Sequence, residues 1–332
     1  MPNRSAVLHA AHELVVEDRA VPALGADDVL VKIAAVGICG SDVHYYEHGR
    51  IGSYVVDEPM VIGHEAAGTV VDVGADVDRA RVGDRVALEP GVPCRNCGQC
   101  LTGRYNLCPH VQFFATPPVD GAIAEYVSLA SSFAHPVPHG LSLDRAAMAE
   151  PVSVGIWACR RAGVTSGDRV LVTGAGPIGL LAAQVARAFG ARSVTVTDMS
   201  AFRLDVARRL GMQAQLATEP LTQEYDVVLE CSGAPAAFRS GLAATARAGR
   251  VVLVGMGADQ MSFDVPFLQG REITLTGTFR YANTYPQAID LIATGAVDVE
   301  AVMTHSFDID HTEDALTLAG REPNSLKAVV HL

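Results

Sequence analysis

The chain has 332 residues, of which 49% are hydrophobic and 19% charged, so it is long enough for two domains with substantial cores. Its formal net charge is −12 and it has no block of Lys or Arg, which argues against binding nucleic acids or anionic membranes. We expect a cytoplasmic protein, because the sequence contains neither a signal-peptide core nor a run of about 20 apolar residues.

The predicted elements divide the chain into parts of different character. From about residue 5 to 150, β-branched runs such as VLVKIAAVG and AAGTVVDVG alternate with turn residues and predict short strands. An Ala-rich helical segment begins near 141. After it, apolar strands alternate with helices, as in RVLVTGAG followed by LLAAQVARAFG, which predicts a doubly wound parallel sheet. From about 280 the pattern is mixed again and ends in the strand-like LKAVVHL.

Four of the seven cysteines lie within 15 positions, in the segment GVPCRNCGQCLTGRYNLC. This clustering, the odd total and the absence of an export signal favour metal-bound thiolates over disulfides. The spacing C-x2-C-x2-C-x7-C lets four sulfurs close a tetrahedron and leaves no position for substrate, so we predict structural zinc. An iron–sulfur cluster is the alternative, but the spacing does not match ferredoxin-type patterns. The four residues are Cys94, Cys97, Cys100 and Cys108.

The stretch VLVTGAGPIGLL carries a dinucleotide-binding pattern, Gly174-x-Gly176-x-x-Gly179, between a predicted strand and a predicted helix. The next strand, SVTVTD, ends in Asp198, where a carboxylate can accept hydrogen bonds from ribose hydroxyls and repel a 2′-phosphate. This combination favours NAD over NADP. Arg203, five residues later, could be taken as evidence for NADP, but it could also be a solvated helix residue or lie against the adenine, and we favour NAD.

A second set of candidate metal ligands is scattered: Cys39, the adjacent pair His64 and Glu65, and Glu150. Each follows an apolar or glycine-containing strand end. Taken singly, they are also compatible with a packed core thiol, a buried histidine and a carboxylate at a helix N-terminus. Neighbouring side chains in a strand point to opposite faces, so His64 and Glu65 can share one ion only if the strand bends or ends there. The following Ala66-Ala67-Gly68 would allow such a bend.

Motifs along nearly the whole chain resemble the zinc-dependent medium-chain alcohol dehydrogenases, and particularly their sorbitol/xylitol (polyol) dehydrogenase branch. These motifs are CGSDVH (39–44), GHE (63–65), FFATPP (113–118), AEPVSVGIWACRRAG, GAGPIG, VTDMSAFR and FRYANT (279–284). The resemblance implies an α/β protein in which a GroES-like β-barrel catalytic domain is formed by residues 1–152 and 280–332. A Rossmann NAD-binding domain would occupy residues 153–279.

The resemblance also implies a catalytic zinc held by Cys39, His64 and a carboxylate. Glu65 is the expected third ligand, with Glu150 completing the site as a ligand or as the partner of a bound water. A thiolate and a carboxylate leave divalent zinc formally neutral, so it can still act as a Lewis acid on a substrate hydroxyl. Ser41 would then take the hydroxyl proton and His44 would pass it to solvent; the alternatives are a simple turn hydroxyl for Ser41 and a surface histidine for His44.

The polyol branch further implies residues around the substrate and the cofactor. The substrate-binding candidates are Tyr45, Ile51, Phe114, Thr116, Glu150, Arg280 and Tyr281. Of these, the two tyrosines and Arg280 could instead serve packing or a surface ion pair. The cofactor-binding candidates are Gly174, Gly176, Pro177, Ile178, Gly179, Asp198, Arg203, Val254, Gly255, Thr278, Phe279 and Arg280.

We therefore predict an NAD- and zinc-dependent dehydrogenase that oxidises a secondary hydroxyl of a polyol to a ketone. The alternatives are a dehydrogenase of another sugar-derived or vicinal alcohol, such as a sugar acid, butanediol or threonine, and a non-catalytic dinucleotide-binding protein. The non-catalytic protein should have lost part of the second ligand set, whereas all four residues are present. The family resemblance implies a dimer or tetramer, in which the edge strand VVLVGMG or ITLTGTF could pair across subunits.

Overall fold

The computed structural model of the protein describes residues 2–257 and 260–332. They form two compact units, of which the first comprises Met1–Glu150, Tyr285–Ala293 and Met303–Leu332. The second comprises Pro151–Thr284 and Thr294–Val302. The chain passes from the first unit to the second after Glu150 and returns after Thr284. Residues 280–284 and 294–302, which the family resemblance assigns to the catalytic domain, lie in the second unit. The two domains expected from the sequence stay a prediction.

The N-terminal part of the first unit consists mainly of short strands, as its β-branched runs predict. In chain order the strands are β1 (Pro2–Ala10), β2 (Glu13–Ala20), β3 (Asp28–Gly37), β4 (Arg50–Ile51), β5 (Tyr54–Val55), β6 (Met60–Val61), β7 (Glu65–Val73), β8 (Arg85–Leu88), β9 (Gly91–Val92), β10 (Gln112–Phe113), β11 (Tyr126–Ala130) and β12 (Ala134–Pro136). The helices here are α1 (Gly40–His48), α2 (Gly98–Leu101) and α3 (Leu143–Ala147).

The second unit alternates strands with helices. Its elements are α4 (Ala149–Ala162), which begins at the end of the first unit, β13 (Arg169–Thr173), α5 (Pro177–Ala188), β14 (Ser193–Asp198), α6 (Ala201–Arg209), β15 (Gln213–Leu216), β16 (Tyr225–Glu230), α7 (Pro235–Ala243), β17 (Thr245–Leu253), α8 (Val265–Gly270) and β18 (Thr274–Gly277). The chain then returns to the first unit with α9 (Tyr285–Ala293), β19 (Met303–Asp308), α10 (Thr312–Arg321) and β20 (Lys327–His331).

The main sheet of the first unit has the strand order β12-β8-β7-β3-β20-β19, and β11 also pairs with β3. Strand β3 is central because it pairs with β7 along its length, while its last residues also pair with β20, the final strand of the chain. In these registers Gly37, at the end of β3, lies opposite Glu65 of β7 on one side and Val329 of β20 on the other. The C-terminal strand is thereby placed beside the segment that carries Cys39.

The second unit contains a parallel six-stranded sheet in the order β15-β14-β13-β16-β17-β18. Strand β13 is buried from Val170 to Thr173, as expected for a strand covered on both faces. This order and the alternation with helices confirm the predicted Rossmann-type fold. Of the two segments considered for pairing across subunits, VVLVGMG begins with the last three residues of β17, which lies between β16 and β18 and is not an edge strand. ITLTGTF contains β18, which lies at the edge of this sheet.

None of the helices in the described part of the chain is long and apolar enough to cross a membrane.

Candidate metal and dinucleotide sites

The adjacent pair His64 and Glu65 lies where strand β7 begins. Glu65 is the first residue of the strand, His64 precedes it, and Gly63 has φ +87°, a left-handed conformation that glycine adopts without a steric penalty. The backbone therefore turns immediately before Glu65 and is not restricted to strand geometry at His64. The bend that we expected after the pair, at Ala66-Ala67-Gly68, lies before it instead.

Cys39 approaches the same point from the end of β3, where it caps helix α1. Its Sγ, a ring nitrogen of His64 and a carboxylate oxygen of Glu65 all lie within 4.8 Å of one another. His64 and Glu65 are buried and Cys39 is half-buried. Three ligand atoms from two separate segments thus converge on a space suited to one small cation. Among the described residues this group does not include Glu150, which is buried at the start of α4.

Asp42 connects the two segments that carry these ligands. Its carboxylate accepts hydrogen bonds from the backbone N–H of Cys39 at 2.9 Å and of Gly63 at 3.0 Å. It also lies 3.5 Å from Nδ1 of His64, a contact that orients the ring and leaves Nε2 available as a ligand. Burial opposes charge on both groups. The attraction between them nevertheless lowers the pKa of Asp42 and, together with Cys39, raises the pKa of His64 well above its ordinary value.

Lys327, the first residue of β20, forms a buried ion pair with Glu65. Its Nζ donates to both carboxylate oxygens of Glu65, at 2.6 and 2.8 Å, and to the backbone oxygen of Ile38 at 3.0 Å. Both members of this ion pair are almost completely buried, with side-chain exposures of 3% for Lys327 and 0% for Glu65. Burial alone would lower the pKa of Lys327, but the charges of Glu65, Cys39 and Glu150 hold it above its ordinary value.

The donor set fits zinc. A thiolate sulfur, an imidazole nitrogen and a carboxylate oxygen are the three ligand types that zinc prefers, and three protein ligands are typical of catalytic zinc sites, which keep a fourth position open. The carboxylate Asp42 behind His64 is the usual support for a metal-binding imidazole. Phe113 packs against the His64 ring, with the ring centroids 5.6 Å apart, and provides an apolar wall beside the ligands.

The cysteine knuckle, defined here as Cys94, Cys97, Cys100 and Cys108, is a compact group of sulfurs. All four Sγ atoms lie within 4.8 Å of one another, and individual distances are 3.9 Å for Cys94–Cys100, 3.4 Å for Cys97–Cys100 and 3.5 Å for Cys94–Cys108. Four sulfurs bonded to one zinc at about 2.3 Å would lie about 3.8 Å apart. The group therefore matches a single tetrahedral ion. All seven cysteines lie in the described part of the chain, and none forms a disulfide.

The ionisation of the knuckle thiols indicates the charge that this group requires. Backbone N–H groups of Asn96 and Cys97 lower the pKa of Cys94 to about 6, whereas loss of solvent and the neighbouring thiols raise the pKa of Cys100 to about 12. These opposite directions arise because adjacent sulfurs cannot all carry negative charge without a cation among them. A divalent metal would allow all four to ionise.

The glycine loop of the second unit has the geometry that a dinucleotide needs. Gly174 has φ +95°, and a Cβ on Gly179 would overlap the backbone oxygen of Gly174, so helix α5 packs tightly against β13. A Cβ on Gly176 would enter open space, which is where a pyrophosphate approaches the backbone in this motif. Gly176 caps α5 without a side-chain hydrogen bond from the described residues, and Pro177 and Ile178 form the first turn. The N–H groups at the N-terminus of α5 can therefore bind an anion such as a phosphate.

Asp198 ends β14 beside this loop. Its carboxylate accepts hydrogen bonds from the backbone N–H of Ala175 at 2.7 Å and of Ser200 at 2.8 Å, which fix its position next to the glycines. Arg203 lies on α6, and its Nε is buried without a hydrogen-bond partner among the described residues. A buried polar atom without a partner fits a site completed by a ligand.

The other expected residues of the first unit lie on or near α1 and the short strands. Ser41 is half-buried and His44 is exposed on α1, where its ring meets the ring of His48 edge to face. Tyr45 and Phe114 belong to the hydrophobic core of this unit. Ile51 packs against that core, and Thr116 is half-buried.

The remaining expected residues of the second unit follow β17 and β18. Val254 and Gly255 both donate their backbone N–H to the backbone oxygen of Glu230. Thr278 donates its backbone N–H to Leu253, and the Arg280 guanidinium lies 4.8 Å above the Phe279 ring. Arg280 has a positive φ of 51°, and Tyr281 is buried.

Two residues of the metal site, Asp42 and Lys327, were not identified as such from the sequence. Asp42 had a signal, since it lies three residues after Cys39, the spacing at which a side chain caps the start of a helix. Lys327 had a weaker signal. It is one of only two lysines and lies inside the strand-like LKAVVHL, where an alternating pattern alone does not reveal a partner.

Comparison with known proteins agrees with this geometry. Residues 25–139 match the family described as "Alcohol dehydrogenase GroES-like domain", and residues 177–294 match "Zinc-binding dehydrogenase". The chain is 44% identical to sorbitol dehydrogenase of Bacillus subtilis, over 99% of this chain and 97% of that protein. It is 43% identical to human sorbitol dehydrogenase, over 94% of this chain and 91% of that one.

Among solved structures, L-idonate 5-dehydrogenase from Escherichia coli superimposes with a TM-score of 0.93 and 30% identity, covering 100% of this chain and 99% of that one. The predicted fold, with its GroES-like and Rossmann-type parts, is confirmed by the topology and by these matches. The chain belongs to the family of zinc-dependent medium-chain alcohol dehydrogenases.

Proposed function

We propose that the protein oxidises a secondary hydroxyl of a polyol to a ketone and transfers the hydride to NAD. The observation that carries this proposal is the convergence of the ligand atoms of Cys39, His64 and Glu65 within 4.8 Å. The substrate class is supported by identities of 42–44% to curated sorbitol dehydrogenases. In this proposal the first unit carries the metal chemistry and the second carries the dinucleotide.

Within the first unit, each residue near the ligands has a distinct role. Cys39, His64 and Glu65 would hold zinc, and Asp42 fixes the His64 ring through Nδ1 so that Nε2 is available as a ligand. When bound, zinc supplies Lewis acidity that makes the hydroxyl of an alcohol more acidic, and NAD supplies the hydride acceptor. Glu150 does not belong to the group of three, so we assign it to hydrogen bonding within the site rather than to direct ligation.

A proton must leave the substrate hydroxyl before the hydride is transferred. We assign this step to Ser41, which lies two residues after Cys39 and would accept the proton on Oγ while it releases its own hydroxyl proton. His44 then receives it and passes it to solvent, a role supported by its exposed position one turn further along α1. Because an exposed imidazole exchanges protons readily with water, this route removes the proton without exposing the buried ligands.

Substrate selection requires hydrogen-bonding groups away from the metal, because a polyol carries a hydroxyl on every carbon. We assign this role to Tyr45, Glu150, Arg280 and Tyr281, and a wall to Ile51, Phe114 and Thr116. A site built to pair these hydroxyls leaves its own polar groups unsatisfied when a simple alcohol binds, so simple alcohols should react poorly. The positive φ of Arg280 supports a functional role, since a non-glycine residue rarely adopts it.

For the cofactor we propose that Asp198 binds the ribose hydroxyls and excludes a 2′-phosphate. The prediction is that Asp198→Ala lowers the preference for NAD over NADP, measured as the ratio of kcat/KM values, by about tenfold or more. Arg203→Ala is the matched variant from the same segment. If Asp198 sets the choice, Arg203→Ala should keep the preference for NAD. If Asp198→Ala leaves the ratio of kcat/KM values for NAD and NADP unchanged, Asp198 does not determine the choice of cofactor.

Another sugar-derived or vicinal alcohol is the second candidate substrate. It is supported by the similarity to L-idonate 5-dehydrogenase and to a 2R,3R-butanediol dehydrogenase from Bacillus subtilis, which has a TM-score of 0.92 and 27% identity. These two proteins share the fold but are less similar in sequence than the sorbitol dehydrogenases, which places a polyol first.

The decisive experiment is a substrate panel with NAD, followed by the absorbance of NADH. Sorbitol and xylitol are compared with L-idonate, 2,3-butanediol, threonine and ethanol, and zinc per chain is measured on the same samples. We expect the highest kcat/KM with a polyol of four to six carbons and about two zinc ions per chain. A higher kcat/KM with 2,3-butanediol or L-idonate than with any polyol would mean that the substrate is the second candidate, another vicinal or sugar-derived alcohol. No turnover with any of them, together with a single zinc, would favour a non-catalytic dinucleotide-binding protein.

We also infer a cytoplasmic homo-oligomer. The free thiols support a reducing compartment, since four clustered cysteines in an oxidising one would tend to form disulfides. Strand β18 supports self-association because it lies at the edge of the parallel sheet, where its unpaired backbone groups can meet a second copy. Light scattering of the purified protein distinguishes monomer, dimer and tetramer, and a monomer at all concentrations would contradict the inference.

A further inference from the structure

Lys327 is buried beside the metal ligands, yet it has no role in the chemistry described above. It is one of only two lysines in the chain, and its Nζ makes three hydrogen bonds, two to Glu65 and one to the backbone of Ile38. Burying an ammonium group is costly, and long charged side chains rarely lie in protein interiors without a specific partner. Its position therefore calls for an explanation in terms of Glu65.

The contact between Lys327 and Glu65 depends on a glycine in the strand that lies between them. Lys327 is on β20 and Glu65 is on β7, and strand β3 lies between them. The residue of β3 that faces Glu65 is Gly37, and a Cβ at that position would overlap the Glu65 carboxylate. The missing side chain allows the lysine and the carboxylate to meet across the intervening strand. The last strand of the chain thus supplies a charge to a ligand near its beginning.

Lys327 already occupies the carboxylate that a metal would need. Without a metal, the ammonium group is the positive charge in direct contact with Glu65, and it engages both of the oxygens that a metal would use.

We propose that Lys327 is the built-in counter-ion of the site formed by Cys39, His64 and Glu65. It neutralises the Glu65 carboxylate in the metal-free protein and competes with the metal for that carboxylate. This inference rests on the proposed assignment of these three residues to a metal site. A lysine that merely positioned Glu65 would strengthen metal binding. A counter-ion instead weakens metal binding, because two cations repel each other in the same buried space.

The test compares Lys327→Met, which keeps the length of the side chain and removes its charge, with Lys32→Met. Lys32 is the other lysine of the chain and is exposed on β3. Zinc retention of the full-length protein is measured against increasing chelator concentration. The Cys39→Ala variant identifies which zinc belongs to the knuckle. We expect Lys327→Met to hold the Cys39-dependent zinc about tenfold more tightly than the wild type, or more, and Lys32→Met to equal the wild type.

Thermal stability gives a second readout that is independent of turnover. Removing Lys327 leaves Glu65 unpaired when the metal is absent, whereas zinc restores a positive partner. The melting temperature of Lys327→Met should therefore fall more in the protein depleted of the Cys39-dependent zinc than in the loaded protein. An equal fall in both forms indicates a structural role, and a larger fall in the loaded form indicates positioning. Either outcome overturns the proposal.

If Lys327→Met does not fold without zinc, the double variant Glu65→Gln/Lys327→Met still tests the proposal. Both charges are then absent, so the double variant should be more stable than Lys327→Met alone in the zinc-depleted state. If it is equally unstable, Lys327 acts through Ile38 and the proposal fails. If instead the wild type holds no Cys39-dependent zinc, the metal site itself is wrong. The proposed function then fails independently of Lys327.

Discussion

The two proposed metal sites of the first unit are built in opposite ways. The cysteine knuckle takes all four ligands from residues 94–108, so its geometry is set by a short loop and the four-residue helix α2. The site of Cys39, His64 and Glu65 joins the end of β3 to the start of β7, and its lysine comes from a residue 262 positions after Glu65. The knuckle can form locally, whereas the second site exists only when β7, β3 and β20 are paired. Loss of a ligand should therefore have different consequences at the two sites.

The largest effect is expected for Cys39→Ala. Removing the thiolate eliminates one of three ligands, so zinc should leave this site while the knuckle keeps its own. We expect kcat/KM to fall about a thousandfold or more, because the metal supplies several kcal/mol of transition-state stabilisation. Zinc per chain should fall by one, and the affinity for NAD, measured by fluorescence titration, should equal that of the wild type. Near-normal turnover in this variant would contradict the assignment of Cys39 as a ligand.

Cys100→Ala is the matched change in the knuckle. Here the metal organises a loop and has no open position, so we expect the melting temperature to fall on the order of 10 °C. The pH dependence of kcat for the protein that remains folded should equal that of the wild type. A variant with unchanged stability but altered pH dependence would mean that the knuckle takes part in catalysis, and the contrast between the two sites would be lost.

These differences also explain how much could be predicted from the sequence. The knuckle was predictable because its ligands are close in the sequence and their spacing alone brings the sulfurs together. The glycine loop was predictable for the same reason, since Gly174, Gly176 and Gly179 perform three separate tasks within six residues. The parallel sheet was predictable because strands buried on both faces are continuously apolar, as in β13.

The second metal site was only partly predictable. Its proposed ligands were chosen through family resemblance, whereas their spacing left a core thiol and a buried histidine as reasonable alternatives. The turn at Gly63 and the pairing of Lys327 with Glu65 depend on strand register, which a single sequence does not determine. Asp42 lies close to Cys39 in the sequence, but its contact with His64 requires the fold.

A smaller effect is expected for Asp42→Asn. The backbone N–H groups of Cys39 and Gly63 donate to different oxygens of Asp42, so the amide keeps only one of these two hydrogen bonds, and it loses the charge that holds the His64 ring. Replacing a carboxylate behind a metal-binding histidine typically costs about 10–100-fold in metal affinity. Chelator competition measures this loss, and Asp78→Asn, at an exposed position, is the control. If Asp42→Asn retains zinc as well as the control does, Asp42 does not orient His64.

The smallest effect is expected from adding one methyl group to a glycine at each site. A Cβ at Gly37 would overlap the Glu65 carboxylate, whereas a Cβ at Gly98, in the first position of α2, would meet nothing within 4 Å. We expect Gly37→Ala to shift Glu65 and weaken retention of the Cys39-dependent zinc by about tenfold, a loss of about 1.4 kcal/mol. Gly98→Ala should leave zinc retention by the knuckle unchanged, because the added methyl group has space. If both variants retain zinc equally, the close packing of β7, β3 and β20 does not control the site. The pairing of these strands would then matter only for placing Lys327 beside Glu65.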